Sequence, residues 1–361
     1  MGCSVNPSAG GILSVLTDVK IGIRLPVYGA FPTQNPYDHL HELVAKADQG
    51  GVDSVWVVDH HLMPDESIRA AGAEPPGHQP LEAWTTLAAV AAWSKHPRIG
   101  TEVTPMIRSH PSILAKVTAT LDQLSKGRLI LGAGAGWYPP EFRNFGLTWN
   151  RLNRRYEQMV EAIEVVEKLW TEDKADYEGR YYRLSGASLY PTPIQKPHPP
   201  IWFGGVSDRI LDSTVRYGDG WIPANNTAPQ EYQTLVDRLA SMAKQAGRRP
   251  ETITVAAPFT AQIASSHDEA ERTVQDYGAK AAGSSSDQTS AVPSSSSSWN
   301  SAFSASRLHG IWGSPEEAVQ RIQKYIDLGA EHFILDLQPP KTSSTTLELL
   351  CNEVIPKIKR R

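Results

Sequence analysis

Arg98–Trp137 reads RIGTEVTPMIRSHPSILAKVTATLDQLSKGRLILGAGAGW, and this stretch decides the fold. Ile99–Val103 is a short, mostly apolar run and reads as a strand. Pro111 fits the first turn of a helix, where its missing N–H is not needed, and that helix runs to about Ser125. Gly127 marks its end, and Arg128–Leu131 forms the next strand. Short apolar strands joined through helices belong to parallel sheets buried on both faces.

The same rhythm extends in both directions. Upstream, Val19–Leu25 is a strand ended by Pro26, and Tyr37–Gln49 has helical spacing through Leu40, Leu43, Val44 and Ala47 until Gly50-Gly51 stops it. Ser54–Val58 is a strand and Leu81–Ala92 a helix. Downstream come the helix Arg154–Trp170, strand Ile201–Phe203, helix Ser207–Tyr217, strand Gly220–Ile222, helix Gln230–Ala246 and strand Ile253–Ala257. His267–Lys280 and Pro315–Leu328 are helical, His332–Leu335 is the eighth strand, and Thr345–Ile358 closes as a helix. Eight repeats of similar size predict a TIM (β/α)₈ barrel over an open doubly wound sheet. The first strand turns through Leu25-Pro26-Val27-Tyr28-Gly29, without the Gly-rich turn of dinucleotide-binding folds. Residues 18–361 are read as one barrel domain with two interruptions, a Tyr- and Pro-rich excursion at 172–200 and a Ser-rich insertion at 283–306. The insertion cannot pack a core; it is either a lid over the active site or a loop without a role. Residues 1–17 read as a flexible extension.

Net charge is −4 over 361 residues, which argues against nucleic-acid or membrane-surface partners. The terminal group Lys357, Lys359, Arg360, Arg361 reads as a solvated helix end. Cys3 and Cys351 give no disulfide framework or metal cluster. No apolar run approaches a membrane span, and no secretory signal pattern is present, so a cytoplasmic enzyme with no metal is expected.

Barrel active sites lie at the carboxyl ends of the strands. There stand Asp59-His60-His61, then Thr104-Pro105-Met106-Ile107-Arg108, then the glycines 132, 134 and 136 with Trp137, then Gly204-Gly205-Val206-Ser207, then Trp221. A carboxylate beside an imidazole can fix its tautomer, which makes Asp59 and His60 the catalytic candidates. The glycines permit close approach to a ligand or simply form a tight turn. Gly204–Ser207 joins a strand to a helix, which is an anion site, and Ser207 adds a hydroxyl. Trp137 and Trp221 could wall a flat cofactor, whereas Trp202, mid-strand, reads as core. His110, ahead of Pro111, reads as a helix cap. Metalloprotease, P-loop and α/β-hydrolase motifs do not occur in the chain.

Three blocks carry a resemblance: PLEAWTTLAAVAA from Pro80, the Arg98–Trp137 stretch, and KPHPPIWFGGVSDRILDSTVRYGDGWIP from Lys196. Together they resemble the luciferase-like flavin- or coenzyme F420-dependent oxidoreductases. The resemblance implies a barrel holding the deazaflavin F420, or else FMN, against a strand-3 bulge with a non-prolyl cis peptide near Glu102–Thr104. It places the cofactor phosphate on Gly204, Gly205, Val206 and Ser207, with Asp59, Thr104, Gly136, Trp137 and Trp221 as further cofactor contacts. It implies hydride transfer to or from a small organic substrate, with a homodimeric assembly by family habit. Alternatives are an FMN-dependent two-component monooxygenase fed by a separate flavin reductase, and a non-catalytic flavin-binding barrel. Asp59-His60-His61 shares its Asp-His with deazaflavin sugar-phosphate dehydrogenases and its His-His with the monooxygenases. Those dehydrogenases carry an acidic Glu where this chain has Trp137, with Glu141 four residues on, which argues against sugar-phosphate oxidation.

Overall fold

A computed structural model describes residues 19–282 and 309–359. The expectations for residues 1–17, for the whole Ser-rich insertion at 283–306 and for Cys3, Arg360 and Arg361 lie outside the described residues.

Eight parallel strands close on themselves: β1 (Lys20–Arg24), β2 (Ser54–Val57), β3 (Arg98–Thr101), β5 (Leu129–Gly134), β8 (Ile201–Gly204), β9 (Gly220–Ile222), β10 (Thr254–Ile263) and β12 (His332–Asp336). Closure is explicit at β1, where Ile23 pairs with Val55 of β2 on one side and Leu335 of β12 on the other. Short strands β4 (Thr104–Pro105) and β11 (Ile311–Gly313) extend the wall beside β5 and β10. The 172–200 excursion holds an antiparallel pair, β6 (Ala175–Glu178) and β7 (Arg183–Ala187). Among the described residues, no helix is long and apolar enough to cross a membrane.

The elements follow the sequence reading with instructive exceptions. β5 runs on to Gly134 because β8 pairs Gly132 with Trp202 and Ala133 with Phe203; these glycines belong to a strand, not a turn. β10 continues past Ala257 to Ile263 because two neighbours share it, β12 along Ala256–Thr260 and β11 along Ala261–Ile263. The last helical run starts at Pro340 and widens into a π turn at Leu350–Val354. Helices Asp65–Ala70 and Pro139–Asn144 are additional.

Large side chains fill the barrel lumen. Trp56, Ile130, Trp202, Ile222, Ala256 and Ile334 form one buried cluster, with the two indoles 5.2 Å apart. Glycines make the room: a Cβ on Gly100 would come within 2.7 Å of Trp56, and one on Gly220 within 2.7 Å of Trp202. His332 stands edge-on to both indoles and is hydrogen-bonded to Ser54 at 2.6 Å. Burial, reinforced by the Arg98 and Lys20 charges, lowers the His332 imidazole to about 3, so it is neutral in the fold.

One wall carries a local exception to the ladder. The Glu102–Val103 peptide is cis, between β3 and β4. The Val103 side chain projects toward three positions that lack one: a Cβ would meet it at 2.6 Å on Gly134 and 2.7 Å on Gly204, and at 3.2 Å on Gly132. On Gly132 the same Cβ would also lie 1.8 Å from the Thr101 carbonyl oxygen.

That contact is with backbone, which cannot yield, so Gly132→Ala is expected to exceed the ordinary overpacking cost of about 1–3 kcal/mol. Gly146, with φ +70 and nothing within 4 Å of an added Cβ, should cost only about 1–2 kcal/mol as alanine. Urea unfolding of the two variants checks this, and equal losses would refute the backbone-clash account.

Candidate active site

All eight strands are parallel, so their carboxyl ends share one mouth. Asp59 and His60 follow β2 directly, Thr104 opens β4, and Trp137 follows β5. Asp59 is fully buried and consumed by two partners. The Thr104 hydroxyl donates to its Oδ2 at 2.8 Å, and the Arg108 guanidinium pairs with its Oδ1. Arg108 Nη1 also donates to the Asp59 carbonyl at 2.8 Å.

His60 is therefore not oriented by its neighbour Asp59, and the expected pair is corrected. Its carboxylate partner is Glu141, whose Oε2 lies 2.9 Å from His60 Nδ1. Glu141 Oε1 accepts from the His61 amide at 2.7 Å and from Arg108 Nη1 at 3.1 Å. On the far side of the ring, the Trp137 indole N–H donates to His60 Nε2 at 3.2 Å. These partners assign a neutral imidazole protonated at Nδ1. Arg108 thus bridges two buried carboxylates, and the imidazole leans on the second. Burial pushes Glu141 up, but the hydrogen bonds from His60 and the His61 amide and the Arg108 cation together bring it below the usual range. The His61 imidazole is lowered by burial and by Arg108, against the pull of Asp59 and Glu141.

Gly136 adopts φ +74 and lets the chain turn out of β5 above Phe142. Trp137 is half-exposed and meets His60 edge-on at 5.6 Å. Across the mouth, Gly205 sits at φ +131 and donates its amide to Ile222 of β9 at 2.9 Å. That donor is spent, which narrows the expected anion cradle to the amides that follow. Ser207 caps the helix Asp208–Tyr217, accepting from the Ile210 amide, and its hydroxyl is 2.8 Å from Tyr156 OH. Arg209 stands over the Tyr156 ring at 5.8 Å. Val206 is exposed, and Asp208 is paired with Arg238 at 2.6 Å. Trp221 is a second correction: it is completely buried, packs near Tyr232, and donates its N–H to the Gly205 carbonyl at 2.7 Å. It supports the loop from beneath rather than walling a pocket. His110 caps its helix by accepting from Ser112 N, as expected. Among the described residues, no group of three or more His, Cys, Asp or Glu is placed to hold a metal ion.

Arg108 and Glu141 were not among the candidates. Arg108 had a signal, a cation directly after a strand end; Glu141 was legible only as the carboxylate displaced from Trp137.

The barrel, its cis bulge and its mouth set the terms for comparison. The model of the luciferase-like monooxygenase family matches residues 19–332. The chain belongs to the luciferase-like monooxygenase family. Among its luciferase-like relatives is an F420-dependent glucose-6-phosphate dehydrogenase of Amycolatopsis mediterranei, 30% identical over 89% of this chain and 94% of that protein. A protein of the same name from Nakamurella multipartita is 28% identical over 92% of this chain and 96% of its own length. Two solved structures share the luciferase-like fold. One is an F420-dependent secondary alcohol dehydrogenase in complex with an F420-acetone adduct, with TM-score 0.75 and 23% identity over 94% of this chain and 99% of that one. The other is the long-chain alkane monooxygenase LadA, with TM-score 0.76 and 19% identity over 95% and 92%.

Glu141 binds its proton more weakly in the fold than when unfolded. Its charge therefore stabilises the protein above pH 4.5, its ordinary value, and that contribution fades as pH falls through the lowered folded value. Glu141→Gln should cost on the order of 3 kcal/mol at pH 7, because Arg108 loses a buried counter-charge. The gap to wild type should narrow below pH 4.5 in denaturant titrations. A gap unchanged down to the acid limit of the fold would rule this account out.

Proposed function

We propose that this protein is a deazaflavin-dependent oxidoreductase that exchanges a hydride between coenzyme F420 and a small organic substrate. The single observation that carries it is the mouth itself, with His60 held on a buried carboxylate beside the Glu102–Thr104 bulge. The relatives named F420-dependent, aligned along nearly the whole chain, favour F420 over FMN.

The residues fit a flat tricycle. Gly134 and Gly204 let Val103 of the Glu102–Thr104 bulge settle into the wall on which the ring would lie, and φ at Gly136 and Gly205 excludes most side chains there. Ser207, with the amides of the following helix start, would hold an anionic tail, and Arg209 and Tyr156 add a cation and a hydroxyl nearby. Asp59 and Thr104 would set the edge of the seat, with Trp137 across from it. When bound, the deazaflavin supplies the hydride chemistry.

His60 does the proton work. Glu141 fixes Nδ1–H and stabilises a positive ring, so Nε2 is the nitrogen that faces substrate oxygen. Trp137 holds Nε2 until substrate displaces its indole N–H. Asp59 acts through Arg108, which it anchors against Glu141. The position of Trp137, where sugar-phosphate dehydrogenases are expected to carry an acid, favours a substrate other than a sugar phosphate.

Parallel titrations with F420 and FMN, followed by absorbance and fluorescence, test the cofactor. F420 is expected to bind more tightly; FMN binding alone would turn the reading to a monooxygenase, and binding of neither would end it. With a panel of small alcohols as hydride donors, His60→Ala should lose on the order of 10²-fold in F420 reduction while keeping coenzyme affinity. Unchanged turnover would remove His60 from the mechanism.

A further inference from the structure

A second cluster of charge lies at the same mouth. Arg24 ends β1, Asp336 ends β12, and Glu102 follows β3 immediately before Val103. Arg24 Nη1 is 3.1 Å from Glu102 Oε2, and Arg24 Nη2 is hydrogen-bonded to Asp336 Oδ2. The side chains are only 12%, 8% and 7% exposed for Arg24, Glu102 and Asp336. One guanidinium serves two carboxylates. The Glu102 contact is an ion pair without hydrogen-bond alignment, and Asp336 Oδ1 has no hydrogen-bond partner. Buried polar atoms in native sites seldom stay unmatched, so this cluster lacks something.

The surrounding charges do not relieve it. After β2, Asp59 is bound to Arg108 and Thr104; Glu141 is bound to Arg108 and His60; from the β1 loop, Tyr28 acts electrostatically on Arg24. Burial first, and then the Asp336 charge, push the Glu102 carboxyl up to about 7 against the pull of Arg24. A group in that range changes protonation at neutral pH with little free-energy cost.

We propose that Glu102 binds the docked tricycle as a neutral acid, its O–H donating to an acceptor atom of the ring, so that docking takes up a proton. This rests on the deazaflavin reading of the same mouth. A ring docked at this mouth would cover a carboxyl whose Oε2 has no aligned donor, which would disfavour the charged form further. The anion would repel ring carbonyl and nitrogen lone pairs, whereas the acid hydrogen-bonds to them.

The affinity of oxidised F420, and separately of FMN, should therefore fall as pH rises above about 7, approaching tenfold per pH unit. Glu102→Gln keeps a donor that does not titrate and leaves Arg24 paired with Asp336. Its affinity should stay near the low-pH wild-type value and flat from pH 6 to about 8.5. Calorimetry at pH 7.5 in two buffers of different ionisation enthalpy should find roughly three quarters of a proton taken up by wild type beyond that of Glu102→Gln. Asp336→Asn, which removes the charge that helps raise Glu102, should move the decline to lower pH and gives a second variant if Glu102→Gln does not fold. A flat wild-type profile, or the same slope in Glu102→Gln, overturns the assignment while leaving the cofactor reading intact. Wild type that binds neither coenzyme at any pH overturns both.

Discussion

Val103 occupies space that exists only because three facing positions have no side chain. Gly132 and Gly134 on β5 and Gly204 on β8 each leave room that a Cβ would close. The consequence runs outward. With Val103 accommodated, the chain re-enters the ladder as β4 beside β5, which sets Thr104 against Asp59. Asp59 in turn anchors Arg108, and Arg108 fixes Glu141, on which the His60 ring leans. The glycines read from sequence as a possible ligand approach thus serve first to admit a bend in the protein's own wall.

The mouth uses one electrostatic device twice and obtains opposite outcomes. Arg108 lies between Asp59 and Glu141; Arg24 lies between Glu102 and Asp336. In both cases burial penalises the carboxylates. Glu141 receives further donors, the His60 ring and the His61 amide, and falls below its usual range. Glu102 must share Arg24 with Asp336 and rises to about 7. Burial raises both; Glu141 has further hydrogen bonds to its charged form that offset it, whereas Glu102 has the Asp336 charge beside it. Two acids in one mouth, pushed in opposite directions, divide into a permanent charge and an exchangeable proton.

The barrel was legible because its signals are local. Pro111 and Gly127 bracket their helix as read, and the short apolar strands sit within a residue or two of their expected places. What escaped was long-range. β10 and β5 run on because neighbours far along the chain hydrogen-bond to them. The site was half legible for the same reason. Asp59 and His60 look like a pair because they are adjacent, but their side chains take different partners. Asp59 meets Arg108 and His60 meets Glu141, a residue that only the folded chain brings near. Trp221 misled similarly: its place after a strand start put it at the mouth in sequence, while its fully buried ring lies beneath the Gly205 loop.

His60 shows what the replacement of an acid by Trp137 does to the chemistry. The imidazole is held at both nitrogens, but unequally. Glu141 grips Nδ1 at 2.9 Å from a buried, charged partner, whereas Trp137 reaches Nε2 at 3.2 Å from a neutral, half-exposed ring. A charge-assisted bond is about twice as strong as a neutral one, so the ring keeps its orientation when the indole leaves. Under the proposed function, a substrate hydroxyl arriving at Nε2 would compete only with the weaker contact. The exchange would free a large aromatic face, and Trp137 would become a wall for the substrate as it stops being a partner of the imidazole. An apolar wall in place of a carboxylate would favour substrates with an uncharged body, which would tie the identity of one residue after β5 to the class of molecule the barrel admits.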